Sequence, residues 1–275
     1  MTDSVLKKFD MSGKTAIVTG AVGLLGQQFS LALAQAGASV VLADLSEETV
    51  AQRAQSLRQQ GFKALGVSVD VTDPESNKAM VEAALNQYGS VDVLVNSAAL
   101  DPKFDPANLN SQGANAFEDY SLESWRQALD VNLTGMFLAT QASVAPMLRQ
   151  GQGVIVNIAS IYGLVAPDQR LYERPDGIRS FKPVYYSVTK AGVLGFTKYL
   201  AAYYAGKNIR VNALTPGGVY NEHDEVFTAQ YSARTILGRM ANIDEMNAAM
   251  LFLCSDASSY MTGSNLVVDG GWTAW

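Results

Sequence analysis

Short apolar runs alternate with longer amphipathic segments along most of the chain. The runs have the length and β-branched content of buried strands, and the segments between them have the length and spacing of helices. Seven strands are predicted, at Thr15–Thr19, Ser39–Ala43, Leu65–Val69, Val91–Val95, Val154–Ile158, Ile209–Leu214 and Leu266–Val268. Helices are predicted at Leu24–Ala36, at Glu47–Gln60 and at about Asp244–Leu253. A further helix begins at Pro74, a long helical region after residue 120 ends at about Arg149, and another helix contains Tyr186.

Repeated strand–helix–strand units predict the fold class, because parallel strands need a crossover that a helix usually provides. We expect an α/β fold: a single-domain, Rossmann-like, doubly wound parallel sheet flanked by helices and spanning residues 1–275. Sheets of this kind bind ligands outside the carboxyl ends of their strands. Candidate chemistry is therefore sought in the residues that follow each strand.

Composition limits the classes of partner. The chain has 275 residues and is 48% hydrophobic, which is enough for one large core. Its 20 basic and 26 acidic residues give a net charge of −6, which argues against nucleic acid. Cys254 is the only cysteine, and no apolar run approaches the ~20 residues of a membrane span. We expect a cytoplasmic protein with no metal, membrane or nucleic-acid partner.

A glycine-rich turn follows the first predicted strand and opens the first predicted helix. Gly20 allows the sharp turn, and Gly23 lets backbone N–H groups approach a pyrophosphate at the helix N-terminus. Gly26 lets the helix pack closely on the sheet. The turn predicts a dinucleotide site, and ordinary helix–sheet packing is the alternative explanation of the same glycines.

Asp44 follows the second predicted strand, 18 positions after Gly26. A carboxylate there would accept hydrogen bonds from the adenosine ribose hydroxyls and would repel a 2′-phosphate. The nearest cation, Arg53, lies well into the next helix. The position predicts NAD in preference to NADP; the alternative is an Asp that only neighbours a helix N-terminus.

Tyr186 and Lys190 are four positions apart in a predicted helix, so they share one face. A free phenol titrates near ~10, and an adjacent ammonium favours the phenolate, which predicts an acid/base pair. Tyr185 is the competing phenol, but Thr189 stands four positions after it. An interfacial tyrosine and a solvated lysine that share a face are the alternative.

Together with four further motifs, these features resemble the short-chain dehydrogenase/reductase family over essentially the whole chain. The further motifs are Asn96–Ala99 after the fourth strand, Asn132, Ser160 after the fifth strand, and Pro216–Gly217 after the sixth. The resemblance implies that Tyr186 transfers the proton and that Ser160 orients the reacting hydroxyl or carbonyl. It also implies that Lys190 holds the nicotinamide ribose and that Asn132 holds a water in a proton relay.

The resemblance also implies a cofactor site. It places Asp70 beside the adenine and the backbone around Val219 against the nicotinamide amide. The expected cofactor-binding residues are Gly20, Gly23, Leu24, Leu25, Asp44, Leu45, Asp70, Val71, Asn96, Ala98, Tyr186, Lys190, Pro216, Gly217, Val219 and Asn221. The family's usual glycine at position 24 is Leu24 here, and Ser97 and Ala99 replace its usual Asn and Gly.

Two insertions, about 100–120 and 166–183, are long for the family, and Ser160 stands 26 positions before Tyr186. We expect these insertions, together with a substrate loop at about 220–237, to line the substrate pocket. The arginines of the second insertion are candidate ligands of an anionic substrate group, because a guanidinium matches carboxylate or phosphate well. The candidates are Arg170, Arg174 and Arg179. A solvated loop or a subunit contact is the alternative.

The sequence thus predicts an NAD-dependent oxidoreductase that interconverts a secondary alcohol and a ketone. We expect a small-molecule substrate from carbohydrate metabolism, namely a sugar, sugar acid or nucleotide-linked sugar. Reduction of a 3-oxoacyl thioester and a non-catalytic dinucleotide-sensing protein are the alternatives. The resemblance implies a homo-oligomer, a dimer or homotetramer. Candidate interface residues, which core packing would explain equally well, are Met246, Met250, Leu251, Phe252, Trp272 and Trp275.

Overall fold

A computed structural model describes residues 4–101, 115–173, 177 and 179–275. Its centre is a seven-stranded sheet in which each pair of neighbouring strands is parallel. The strands are β1 (Thr15–Thr19), β2 (Ser39–Asp44), β3 (Ala64–Ser68), β4 (Val93–Asn96), β5 (Gly153–Ile158), β6 (Ile209–Pro216) and β7 (Asn265–Val268). Their order across the sheet is β3-β2-β1-β4-β5-β6-β7. The predicted fold class is confirmed.

Helices cover both faces of this sheet. They are α1 (Leu24–Gln35), α2 (Glu47–Gln59), α3 (Pro74–Tyr88), α4 (Leu122–Leu129), α5 (Met136–Gln150), α6 (Val184–Tyr203), α7 (Glu225–Ser232) and α8 (Asn247–Cys254). A π-helix, Asp130–Gly135, joins α4 to α5. Among the described residues, no helix has both the length and the apolar character needed to cross a bilayer.

The two helical layers explain why the strands are apolar along their whole length. Alternate residues of a strand point to opposite faces, and here both faces are buried. Val18 and Leu42 pack toward α1 and α8 in one core cluster, with Phe29 at its centre. Ile17 and Val41 face the other way and pack with residues of α3 and α5. Continuous burial therefore replaces the alternating pattern of a half-exposed strand.

Several boundaries differ from the sequence-based expectation. The strand predicted from Val91 begins at Val93. The carboxylate of Asp92, just before it, accepts hydrogen bonds from the Thr15 N–H at 2.9 Å and the Ser90 hydroxyl at 2.7 Å. The last predicted helix begins later, at Asn247. Within the predicted substrate loop a helix forms, α7, and the Asp224 carboxylate caps it by accepting from the Phe227 N–H at 2.8 Å.

The strand order reverses between β1 and β4, which places a crevice at the carboxyl ends of these two strands. Gly20 follows β1 with φ 65°, a left-handed conformation that favours glycine. A Cβ on Gly20 would lie 2.7 Å from the Cα of Ala98, which follows β4. The glycine turn and the loop after β4 are thus in direct contact at the switch point.

We predict that Gly26→Ala is destabilising. A Cβ at this buried helical position would overlap the Gly20 carbonyl oxygen and lie 2.8 Å from the Gly20 carbonyl carbon. Overpacking against backbone of this kind typically costs ~1–3 kcal/mol, measurable as a lower midpoint of urea unfolding.

Gly195→Ala, in α6, is the matched control for this prediction. A Cβ on Gly195 meets nothing within 4 Å, so the free energy of unfolding should rise by ~0.5–1 kcal/mol. Equal stabilities for Gly26→Ala and the unsubstituted chain would contradict the proposed close contact.

Candidate active site

The helix α6 carries the two residues predicted to form the acid/base pair. It begins after Pro183, and the Tyr186 and Lys190 side chains lie on its buried face, 9% and 5% exposed as residues. The Lys190 ammonium donates a hydrogen bond to the Ile158 carbonyl oxygen at 2.9 Å. Its Nζ lies 5.7 Å from the centroid of the Tyr186 ring. The pair is thereby anchored to the carboxyl end of β5.

Ser160 lies two residues beyond β5, next to the same phenol. Its hydroxyl is close enough to the Tyr186 phenol to lower the pKa of that phenol, and it accepts from the Tyr162 N–H at 3.2 Å. The insertion between Ser160 and Tyr186 therefore does not separate them. The structure brings these two oxygens together although 26 positions lie between the residues.

Asn132 lies in the π-helix, an irregularity often found at functional sites. Its side-chain oxygen accepts from the Leu100 N–H at 2.7 Å. Its side-chain nitrogen donates to the Leu100 carbonyl oxygen and to the Thr189 hydroxyl, each at 3.2 Å. Asn132 thus joins the loop after β4 to the face of α6 between Tyr186 and Lys190. Its role in holding a water stays a prediction.

Burial dominates the electrostatics of this site. It raises the pKa of the Tyr186 phenol well above its ordinary value, and the Asp101 carboxylate raises it further, while the interaction with the Ser160 hydroxyl lowers it. Burial also lowers the pKa of Lys190 to about 8. The expected lowering of the phenol's pKa is not found, because loss of hydration outweighs the effect of Ser160. Tyr186 is held as the neutral phenol.

A second lysine lies against the phenol ring. The Lys182 Nζ is 4.0 Å from the Tyr186 ring centroid and 2.6 Å from a carboxylate oxygen of Asp101. Neither Lys182 nor Asp101 is among the candidate site residues that the sequence predicts. No spacing rule could have paired them, because 81 positions separate the two residues.

The glycine turn has the features needed to hold a dinucleotide. The Asp44 carboxylate reaches this turn, accepting from the Val22 N–H at 3.0 Å and from the Leu45 N–H at 2.8 Å. Gly23 precedes α1 and has no side chain with which to cap it, so the N–H groups of the first turn face the crevice end of the sheet. The turn and the carboxylate together fit a pyrophosphate followed by a ribose.

The other expected cofactor residues lie along the same edge of the sheet. Asp70 and Leu45 line a surface cleft with Leu100, as an adenine site would require. Leu24 and Leu25 open α1, and Pro216 ends β6. Val71 packs against the π-helix, and Gly217 lies against the backbone of Asp269. Val219 forms a β-bridge with Ala241. The backbone N–H of Asn221 donates to the His223 ring at 3.2 Å.

Asn96 uses its side chain inside the sheet. Its side-chain nitrogen donates to the Thr140 hydroxyl and to the Asn157 side-chain oxygen, both at 2.9 Å. Its amide group therefore braces β4 against β5 and α5. Any contact with a cofactor at this position is left to the backbone, a distinction that the sequence motif does not make.

The candidate substrate arginines differ in their surroundings. Arg170 pairs with Asp168 at 2.7 Å, and its side chain is 76% exposed. Arg179 lies over the Phe181 ring, 5.2 Å from its centroid. Arg174 lies outside the described residues. A substrate role for these three stays a prediction, whereas the insertion cation that the structure places at the phenol is Lys182.

Aromatic rings from three other segments pack beside Tyr186, beginning with Tyr162, whose ring centroid lies 6.4 Å from that of Tyr186. Tyr162 and Trp272 meet edge to face at 6.5 Å, and Trp272 stacks on Tyr231 of α7 at 4.3 Å. Trp272 is therefore a pocket residue. Two other candidate interface residues, Met246 and Met250, are fully buried in the core, so core packing is the correct reading for them.

Comparison with known proteins agrees with this geometry. A family model described as enoyl-(acyl carrier protein) reductase matches residues 20–273. The chain belongs to the short-chain dehydrogenase/reductase family. It is an oxidoreductase of that family's type, acting on CH–OH groups.

Three relatives illustrate the range of activities. A cis-4-hydroxycyclohexanecarboxylate dehydrogenase of Sinomonas cyclohexanicum is 35% identical over 267 residues, covering 95% of this chain and 97% of the relative. A 3-oxoacyl-(acyl-carrier-protein) reductase of Aquifex aeolicus is 34% identical, covering 95% and 98%. A D-threitol dehydrogenase of Mycolicibacterium smegmatis is 36% identical, covering 96% and 95%.

A solved structure shares the fold over its full length. It is a gluconate 5-dehydrogenase from Burkholderia cenocepacia, in complex with NADP and tartrate. The two chains superpose with a TM-score of 0.86 at 29% identity, covering 99% of this chain and 100% of the other. The family binds NAD or NADP. The Tyr186 site of this chain lies at the carboxyl end of β5.

Asp101→Asn is predicted to shift the pH dependence of alcohol oxidation to lower pH. The Asp101 carboxylate raises the pKa of Tyr186, and oxidation requires the phenolate form of Tyr186 to accept a proton. Removing that negative charge lowers the phenol's pKa, so kcat/KM should reach half of its plateau at a lower pH. The measurement is kcat/KM against pH for one alcohol.

The control for this shift is Glu75→Gln, which removes an exposed carboxylate that pairs with Lys78 on α3. It should leave the profile unchanged. A profile of Asp101→Asn that coincides with the original, or moves to higher pH, would contradict the electrostatic role of Asp101.

Proposed function

We propose that this chain catalyses reversible hydride transfer between NAD and the secondary alcohol of a sugar, sugar acid or nucleotide-linked sugar. One observation carries the proposal: the Ser160 hydroxyl interacts with the buried Tyr186 phenol, whose ring centroid lies 5.7 Å from the Lys190 Nζ. A buried phenol with a hydroxyl and an ammonium beside it provides the groups that proton transfer to a carbonyl oxygen needs.

The residues divide the work by their positions. Tyr186 as the neutral phenol donates its proton to a ketone oxygen in reduction, and in oxidation the phenolate of Tyr186 takes the hydroxyl proton. Ser160 fixes the substrate oxygen beside the phenol, and Lys190 supplies positive charge behind it. The aromatic rings around Tyr186 exclude water. When bound at the glycine turn, the nicotinamide dinucleotide supplies or accepts the hydride.

Asp44 supports NAD as the preferred cofactor. Its carboxylate lies at the glycine turn, where the 2′-phosphate of NADP would meet a negative charge. The gluconate 5-dehydrogenase structure contains NADP, so family membership alone does not choose between the two cofactors. The preference rests on this one carboxylate.

The substrate class is supported by the pocket and by the relatives. An ammonium from one insertion lies against the phenol ring and pairs with a carboxylate from the other, which suits a compound with more than one polar group. One relative is named for threitol and one solved structure for gluconate. A homo-oligomer is also proposed, supported by the exposed, mutually stacked rings of Tyr199 and Tyr203 on α6.

Reduction of a 3-oxoacyl thioester is the second candidate, favoured by the Aquifex aeolicus relative. Asp44 argues against it, because such reductases mostly use the phosphorylated cofactor. A dinucleotide sensor without turnover would not need a buried phenol and ammonium that depart this far from their ordinary pKa values.

We predict that Tyr186→Phe lowers kcat/KM for alcohol oxidation by roughly 10²- to 10⁴-fold, the usual contribution of a positioned proton donor or acceptor. The dissociation constant for NAD, measured by calorimetry, should change little, because only the hydroxyl is removed. Turnover of a panel of sugars and sugar acids is the assay.

Tyr185→Phe is the matched control, because it removes a phenol from the neighbouring position, where the ring packs on Tyr120 with centroids 6.1 Å apart. It should keep activity within a few-fold. Loss of activity in Tyr185→Phe together with retention in Tyr186→Phe would reverse the assignment, and NAD binding with no turnover in the unsubstituted chain would favour the sensor.

Asp44→Asn should weaken discrimination against NADP. We expect the ratio of kcat/KM with NAD to kcat/KM with NADP to fall at least about tenfold, equivalent to ~1.4 kcal/mol. Asp70→Asn, at the end of the next strand, should leave that ratio unchanged. An unsubstituted enzyme that already prefers NADP would contradict the proposal.

A further inference from the structure

The two long insertions of this chain meet directly over the phenol. Asp101 follows β4, Lys182 stands two residues before the start of α6, and the two side chains form an ion pair at 2.6 Å. The Lys182 side chain is 13% exposed and the Asp101 side chain 55%. The pair therefore has one buried end, against the face of Tyr186, and one end open to the pocket mouth.

The backbone holds Lys182 in place. The Lys182 N–H donates to the side-chain oxygen of Gln169 at 2.9 Å, and the side-chain nitrogen of Gln169 donates to the Lys182 carbonyl oxygen at 3.2 Å. Pro183 follows, which restricts Lys182 to extended backbone before the helix begins. The ammonium is thus positioned before any substrate arrives, as a binding group should be.

The pair faces the same space as the reacting groups. The Nζ of Lys182 lies 4.0 Å from the Tyr186 ring centroid, so the ammonium and the phenol oxygen both border the position of a small bound substrate. On the side of α7, the pKa of the half-buried His223 responds to both members of the pair. Asp101 and Lys182 are therefore close enough to the substrate loop for their charges to act on His223.

The two charges together select the kind of group that fits. An isolated ammonium would attract a carboxylate, but here its charge is already balanced, and an anion would approach the carboxylate of Asp101. A neutral hydroxyl can donate to Asp101 and accept from Lys182 at the same time. Both protein groups are ionised, which strengthens each of these hydrogen bonds.

We propose that Asp101 and Lys182 form a hydroxyl-binding pair that recognises a second, neutral hydroxyl of the substrate beside the carbon that is oxidised. This inference rests on the proposed function and narrows it: neutral polyols and sugars are preferred to sugar acids and to nucleotide-linked sugars. Specificity then comes from the insertions and the chemistry from α6 and β5.

The test compares three substrates that differ only in the substituent next to the reacting carbon. They are 1,2-cyclohexanediol, cyclohexanol and 2-hydroxycyclohexanecarboxylate, each as separate stereoisomers. The measurement is kcat/KM with NAD for the unsubstituted enzyme, Lys182→Met and Asp101→Asn, at a pH on the plateau of each profile. Lys198→Met, an exposed change on α6, is the charge-matched control.

We expect the unsubstituted enzyme to prefer the diol. Each pair variant should lower the ratio of diol to cyclohexanol kcat/KM by about 10- to 100-fold, as loss of a hydrogen bond to a charged group implies. Cyclohexanol turnover should change much less, which also shows that the variant is folded. Lys182→Arg and Asp101→Glu should restore part of the ratio, and Lys198→Met should not change it.

Two results would overturn the inference alone. The first is a diol to cyclohexanol ratio that is unchanged in both variants while all three substrates are still oxidised. The second is preference for the carboxylate substrate, lost in Lys182→Met and increased in Asp101→Asn, which would make Lys182 an anion site. Absence of turnover for every alcohol with NAD and NADP would instead overturn the proposed function, and this inference with it.

Discussion

The hydrogen bond from the Lys190 ammonium to the Ile158 carbonyl oxygen ties the chemistry of this protein to its sheet. A buried ammonium without a partner would lose its proton or destabilise the fold. Ile158 supplies that partner because it is the last residue of β5, where a carbonyl group is free of the strand ladder. Ser160 stands two residues further on, so the same strand end fixes the hydroxyl opposite the phenol.

Burial of the phenol and the ammonium has an electrostatic consequence. Burial favours the neutral forms of both groups. The same low dielectric makes nearby charges act more strongly than they would in water. Asp101 and Lys182 are the charges placed closest to Tyr186 by the insertions, and they act in opposite directions. The site therefore holds its proton on the phenol at rest, and a positive charge that enters the pocket favours release of that proton.

Much of this arrangement could be predicted from local sequence. The glycine turn and Tyr186 with Lys190 depend on spacings of a few residues, and the helical and strand periods convert such spacings into shared faces. The continuous apolar runs predicted a sheet buried on both sides, as the structure shows. A position for Asp44 near the glycine turn could be predicted because Asp44 stands at the carboxyl end of β2, the strand next to β1.

The features that sequence reasoning missed depend on contacts between distant segments. Asp101 and Lys182 are paired through the folding of two loops, and no periodicity connects them. The side-chain nitrogen of Asn96 bonds to Thr140 and Asn157, a structural role that the motif did not indicate, and its role at the cofactor stays a prediction. The sequence allowed Met246 and Met250 to lie either in the core or between subunits, because an apolar side chain is suited to both positions.

The insertion between Ser160 and Tyr186 shows how specificity can change while the chemistry stays the same. Both of its ends are fixed by catalytic elements, since Ser160 caps a 3₁₀ turn at one end and Pro183 precedes α6 at the other. A residue near either end inherits that rigidity, and Lys182 is such a residue. Arg170 lies away from both ends of the segment, is exposed and pairs with Asp168. Position within the insertion, more than charge, therefore decides which cation can contact the substrate.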